Sequence, residues 1–349
     1  MKPRRAMTSL AMSALVFAAL APAAAGQAQG AGAPNHHRPG VRPPAWSPPP
    51  TAWGDPDLRG VWPLESVGRT PFQRPATFGD RAFLTDAEYA AARAAAAKAA
   101  KGYAAEETAG KIGVGHWLEP SQTPPLRQTS LITQPANGRI PPMTAAGKAR
   151  AATMRSSWSQ TVFDSLDDFN SLDRCITRGM PASMLPFPYN NGVRIFQAPG
   201  YVAIQLELIH ETRLIPLGAR PSLPGQMTTW LGSSRGHFEG NTLVIETTNF
   251  NGESPMVIVG PGNQPIPTSR SLHIVERLTP VGPNTLQYEA LVEDPEVLTG
   301  PWKMAFPWTR NDKYRLYEYA CHEGNEQIAN YIRATSPRFA AQRKAYPGR

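Results

Sequence analysis

Residues 201–215 read YVAIQLELIHETRLI, an alternation sustained over more than a dozen positions. A period of two puts Val202, Ile204, Leu206, Leu208, His210, Thr212 and Leu214 on one face. Gln205, Glu207, Ile209, Glu211 and Arg213 fall on the other. The run predicts one long β-strand, with Glu207 and Arg213 along a common wall. Working outward, NTLVIETTNF (241–250), SRSLHIVERLT (269–279) and NTLQYEALVED (284–294) repeat the pattern, with turn formers such as Glu239-Gly240-Asn241 and Gly282-Pro283-Asn284 between them. GPWKMAFPWTR (300–310) and KYRLYEYACHE (313–323) supply two more, the last strand covering 314–322. Six strands in succession without crossover helices predict an antiparallel meander in a mainly β fold. Such a meander removes its edges by rolling into a barrel or doubling into a sandwich; a lipocalin-like barrel, with an interior for side chains or one small ligand, is expected here. RGVW (59–62) offers an early strand and a Gly-x-Trp cue for that barrel.

Upstream, helices decorate the barrel. FLTDAEYAAARAAAAKAAKG (83–102) has Thr85 and Glu88 as a capping box, an alanine-rich interior and Gly102 as its stop. PMTAAGKARAATMRSSW (142–158) gives a second helix capped by Thr144, and Ser130–Thr133 a short strand between the two. Near the end, Asn325 is expected to cap a closing helix from Glu326 to Arg333.

Residues 1–25 read as a signal peptide: Lys2, Arg4 and Arg5 precede an apolar run from Leu10 to Leu20, then Ala23-Ala24-Ala25. The run is too short for a permanent span, so no transmembrane segment is expected after cleavage. Residues 26–50 form a Pro/Gly/Ala-rich linker, 51–335 a single domain and 336–349 a basic tail. The expected location is periplasmic or secreted. The formal charge is +8, from 35 basic and 27 acidic residues, and removing the three basic residues of the signal leaves +5. The excess is not clustered, so nucleic acid is not an expected partner. Cys175 and Cys321, the two cysteines, are expected to pair in an oxidising compartment. Closing so long a loop would contribute on the order of 4 kcal/mol on a chain-entropy argument.

The chemistry-bearing residues are carboxylates and histidines within strands. Glu207, Glu246, Glu276, Glu289 and Glu318 each interrupt an apolar alternation, and any that faces inward needs a partner. His210, His237 and His322 lie within a few residues of carboxylates, which suits proton transfer near neutral pH. Glu207, His210, His237, Glu318 and His322 are therefore the candidate catalytic residues, and Arg213, Arg235, Trp230 and Tyr317 the candidate substrate-binding ones. Trp62, Trp117, Trp158, Trp230, Trp302 and Trp308 are candidates to wall an aromatic pocket. There is no HExxH, CxxC pair, calcium loop, dinucleotide fingerprint, P-loop or Gly-x-Ser-x-Gly. No cofactor is called for; a metal held by His and Glu ligands is a lesser alternative.

WGDPDLRGVW, TPFQRP, RQTSLITQPANGRIPP, RCITRGMP, IHETRLIPL, SRGHFEGNTLVIETTNFNG, LHIVERLT and YEYACHEGN together resemble a family of exported bacterial proteins of unestablished function. The resemblance runs from about residue 53 to residue 333 and implies one integrated unit, its N-terminal segments packed on the barrel. It carries over no catalytic residue. The function expected is that of a cofactor-independent lyase, isomerase or hydrolase acting by Glu/His acid–base catalysis on an apolar or aromatic small molecule. A non-catalytic periplasmic carrier of such a molecule is the alternative.

Overall fold

A computed structural model describes residues 46–111, 125–219, 221, 223–257, 265–323 and 325–340. The expected signal peptide, most of the expected linker, Trp117 and the end of the basic tail lie outside the described residues. Among the described residues no helix is long and apolar enough to cross a membrane.

In chain order, β1 (Gly60–Val61) precedes α1 (Asp86–Thr108), β2 (Ile132–Gln134) and α2 (Ala145–Thr153). Then follow β3 (Val193–Ala198), β4 (Tyr201–Leu206), β5 (Thr212–Pro216), β6 (Ser233–Glu239) and β7 (Thr242–Thr248). A short pair, β8 (Pro255–Val257) and β9 (Ile266–Pro267), leads to β10 (His273–Gly282), β11 (Thr285–Glu293), β12 (Trp302–Thr309) and α3 (Gln327–Thr335). The strands build a four-stranded sheet ordered β1-β3-β4-β5 and a six-stranded sheet ordered β2-β12-β11-β10-β7-β6. All ladders within them are antiparallel. The chain is thus mainly β, as its alternation predicts, but among the described residues no sheet closes into a barrel. The sheets touch where Leu217 bridges Gly236, and share one core.

That core explains the alternation. Val193, Ile195, Val202, Ile204 and Ile215 face inward from the smaller sheet, and Leu243, Ile245, Ile274, Tyr288, Phe306 and Trp308 from the larger. Burying each large apolar side chain stabilises the fold by roughly 1.5–3 kcal/mol. Trp62, Trp302 and Trp308 are buried in this packing, while Trp158 is 45 % exposed and Trp230 half-buried.

Two predicted strands are replaced. Residues 201–215 are a hairpin, because β4 stops at Leu206 and a helical turn over Leu208–His210 reverses the chain into β5. The turn resets the alternation, so Arg213 is buried and Leu214 exposed. Residues 314–322 form no strand and run as irregular chain over one end of the smaller sheet. Their aromatic spacing mimics a ladder, but their backbone is held by a carboxylate, described below. The cap at Thr85 and Glu88 forms as predicted. The helix passes through Gly102 to Thr108, since alanine continues on the far side and one exposed glycine costs only about 1 kcal/mol. α3 starts close to the predicted point, but Glu326 holds the cap position and Asn325 does not cap. Asn325 Nδ2 donates to the Asp173 carbonyl at 3.2 Å and reaches Cys175 Sγ at 3.3 Å.

Candidate functional site

The β4–β5 turn is where the sequence is forced into unusual geometry. Ile209 has φ of 64° and His210 φ of 48°, both in the left-handed region. A β-branched residue there is a steric outlier, costing of order 1–3 kcal/mol. Burial of the Ile209 side chain, 1 % exposed, offsets the strain. The Leu206 N–H to Glu211 carbonyl bond, 2.8 Å, closes the turn. The strain presents His210 and Glu211 side by side at the end of the hairpin.

Three other segments converge on this turn. The first is residues 175–187, where Cys175 is bonded to Cys321. Arg178 is buried there, with Nη1 donating to the Leu185 carbonyl at 3.0 Å and its guanidinium 4.6 Å from the Phe187 ring centre. Burial pulls this guanidinium down to about 10, against the opposing charge of Glu211. The second is residues 187–191, where Phe187 meets Tyr189 edge-on at 5.1 Å. Asn191 holds the Phe187 backbone through both its amide groups, at 2.7 Å each. The third is residues 314–323, whose Tyr319 ring lies 13° from parallel with Tyr189 at 6.4 Å. Burial and the neighbouring Tyr189 push the Tyr319 phenol up. Ser183, in the first of these segments, donates its hydroxyl to Glu211 Oε2 at 3.0 Å. Desolvation raises the Glu211 carboxyl above the usual range, and the Thr177 and Ser183 hydroxyls and Arg178 only partly oppose this.

His210 is fixed by chemistry as well as position. Its Nδ1 lies 2.8 Å from the Tyr319 carbonyl oxygen, which can only accept, so Nδ1 carries the proton. In the neutral ring, Nε2 then holds a free lone pair. His322 stands edge-on to it, with ring centres 5.3 Å apart, and both imidazoles are exposed. Together they are two metal ligands at most; among the described residues no three His, Cys, Asp or Glu side chains could hold an ion.

Of the residues singled out from the sequence, only His210 and His322 meet here as reactive groups. Glu207 is 3 % exposed and fully engaged. It accepts from the Gly192 N–H (2.9 Å), Asn190 Nδ2 (3.0 Å), the Tyr314 hydroxyl (2.8 Å) and the Tyr317 N–H (2.9 Å). It is the clamp that holds residues 314–317 against the sheet. Gly192 leaves room for this, because a Cβ there would lie 2.5 Å from Glu207 Oε2. Tyr317 is 68 % exposed beyond the clamp, and Glu318 is exposed on the same segment.

Arg213 does not share a wall with Glu207, because the turn separates them. It crosses between the sheets to the fully buried Glu276 in a two-pronged ion pair. Ser234, Thr247 and the Tyr288 hydroxyl complete that network, which is sealed from solvent. His237 lies in an open surface groove with Trp53, Asp55, Gly200 and Leu217. That groove is at the far end of the β4–β5 hairpin from His210, about 20 Å along a six-residue strand. Its Nε2 is 3.3 Å from Glu239. Arg235 donates to the Pro221 and Ser234 carbonyls, away from the cluster. Trp230 is in the loop before β6. Among the strand carboxylates, Glu246 faces outward to His273 and Glu289 pairs with Lys303 at 3.1 Å.

Sequence reading missed Arg178, Tyr189, Glu211 and Tyr319. Glu211 and Tyr319 adjoin or nearly adjoin chosen histidines, and Arg178 follows Cys175 by three residues, so the expected disulfide was the available signal. Compared with known proteins, the chain matches no family model, no curated protein and no solved structure.

Proposed function

We propose that the chain is an exported enzyme that carries out acid–base chemistry on a small molecule at the end of the β4–β5 hairpin. The observation that carries this reading is the strained Ile209–His210 turn, since strain of this kind persists where geometry is selected for something other than stability. His210 takes the proton through Nε2, and Glu211, which holds its proton more tightly than an ordinary carboxyl, returns it. Arg178 steadies negative charge developing on the substrate. His322 shares the open side of the site. The reaction is of the lyase, isomerase or hydrolase class, which needs only these proton movements. Export is part of the reading, supported by the disulfide and the leader-like N-terminal sequence, as is the resemblance to exported bacterial proteins.

The test is mass-spectrometric profiling of a bacterial small-molecule extract incubated with the wild type and with His210→Gln and Glu211→Gln. Compounds consumed by the wild type and spared by both variants, with unchanged circular dichroism, support the reading. Equal consumption by all three sinks it. The aromatic surface of Phe187, Tyr189 and Tyr319 also favours the carrier alternative, which predicts saturable binding without any product.

A further inference from the structure

Among the described residues three arginines are deeply buried: Arg74, Arg178 and Arg213. Arg213 shows what a settled guanidinium looks like here, since Glu276 grips it with both carboxylate oxygens. Arg74 bonds the Ala136 carbonyl, with no aromatic ring of the site near it. The Nε of all three is buried without a partner, so Arg178 is set apart by its surroundings: it makes one hydrogen bond, to the Leu185 carbonyl, no carboxylate grips it, and it lies against an aromatic ring of the site. Glu211, the nearest opposing charge, spends its hydrogen bonds on Ser183 and Thr177 instead. A buried guanidinium without a carboxylate is costly, and the planar group that suits its spare donors is an anion with two oxygens.

Next to that guanidinium runs an aromatic surface. Phe187 lies directly under Arg178, Tyr189 meets Phe187 edge-on, and Tyr319 lies nearly parallel to Tyr189. Tyr189 is 37 % exposed, so the surface starts at the buried positive charge and ends in solvent. A ligand matching it has an anionic head and a flat apolar body. Because Glu211 favours its neutral form more than an exposed carboxyl would, it opposes such an anion less.

We infer that the site takes an aromatic carboxylate, its carboxylate on Arg178 and its ring against Tyr189 and Tyr319. This rests on the proposed function only for the location of the site; binding requires no turnover. The experiment is a titration of the full-length wild type with benzoate, benzamide and cyclohexanecarboxylate, followed by tyrosine fluorescence and calorimetry. Benzoate is expected to bind saturably, and roughly tenfold or more tighter than benzamide, since a charge-assisted pair with arginine is lost in the amide. Cyclohexanecarboxylate keeps the charge and loses the flat ring, and should bind more weakly than benzoate. Arg178→Gln should abolish the preference for benzoate over benzamide, and Tyr189→Leu should weaken benzoate while keeping that preference. If Arg178→Gln does not fold, the wild-type ligand series and Tyr189→Leu still decide. Equal affinity for benzoate and benzamide, retained preference in Arg178→Gln, or no binding of benzoate at millimolar concentration overturns the inference. Benzoate binding with no compound consumed would fail the catalytic reading alone, and turnover without benzoate binding would fail this inference alone.

Discussion

Removing Arg213 should test how the two sheets are joined. Glu276 Oε1 accepts from Arg213 Nη1 at 2.9 Å and from the Tyr288 hydroxyl at 2.8 Å, and Oε2 accepts from Arg213 Nη2. Arg213→Met deletes two of these three donors and leaves a fully buried carboxylate facing one phenol. Each charged hydrogen bond contributes about 1.5–3 kcal/mol, so the two together give about 3–6 kcal/mol. Loss of one partner of a buried pair independently suggests about 3–5 kcal/mol. Glu276→Gln should cost less, because Ser234 and Thr247 still accept from the guanidinium, at 3.3 Å each. The double variant Arg213→Met/Glu276→Leu replaces both charges with apolar groups of similar size. It should recover most of the loss, since such swaps are often neutral or stabilising by about 1–4 kcal/mol. Urea unfolding followed by tryptophan fluorescence reads the wild type, Arg213→Met, Glu276→Leu and their double variant, whose cycle isolates the coupling, with Glu276→Gln measured beside them. The reasoning is refuted if Arg213→Met costs less than about 1 kcal/mol, or if the double variant is as unstable as the sum of the singles.

Other outcomes can be stated more briefly. The folded Glu211 carboxyl binds its proton more tightly than the unfolded one, so its contribution is fully present below the ordinary carboxylate range and is lost as pH rises through the raised value. Glu211→Gln should remove that loss, leaving the variant relatively more stable than wild type at neutral pH; an unchanged pH–stability difference would contradict this. Glu207→Ala should free residues 314–317 and cost roughly 3 kcal/mol, with new limited-proteolysis cuts in that segment; cleavage elsewhere first would count against the clamp. Gly192→Ala should reproduce that protease sensitivity while leaving the carboxylate in place, because its Cβ would collide with Glu207. Thr85→Ala should destabilise the start of α1 by about 1 kcal/mol, read as faster amide exchange there and no change at β10–β12.

The larger sheet was legible because β10 and β12 alternate closely, β11 does so over most of its length, and turn formers that the backbone uses as turns stand before β7 and β11. The hairpin at 201–215 was not. Its turn, Glu207-Leu208-Ile209-His210, holds no glycine, proline or asparagine, and two residues that disfavour positive φ adopt it under tertiary constraint. Apolar periodicity therefore continued through a reversal of the chain. The same hidden turn explains why Glu207 and Arg213 were read as neighbours and why Glu211 was passed over. Tyr314, Leu316 and Glu318 imitated a strand because spacing reports side-chain position and not what holds the backbone, here a carboxylate more than a hundred residues away. Cys175 and Cys321 could be paired from composition alone, but which segments met around them depended on packing that no local pattern encodes.

The Cys175–Cys321 bond joins the segment that carries Arg178 to the one that carries Tyr319 and His322. Each lies on irregular backbone, with no ladder to fix it against the other. The covalent link therefore does what no ladder does there: it holds the two halves in register. A copy kept reduced could retain both sheets and their shared core while its cluster came apart. Competence of the site and integrity of the scaffold are, by this arrangement, separately acquired properties of the same chain.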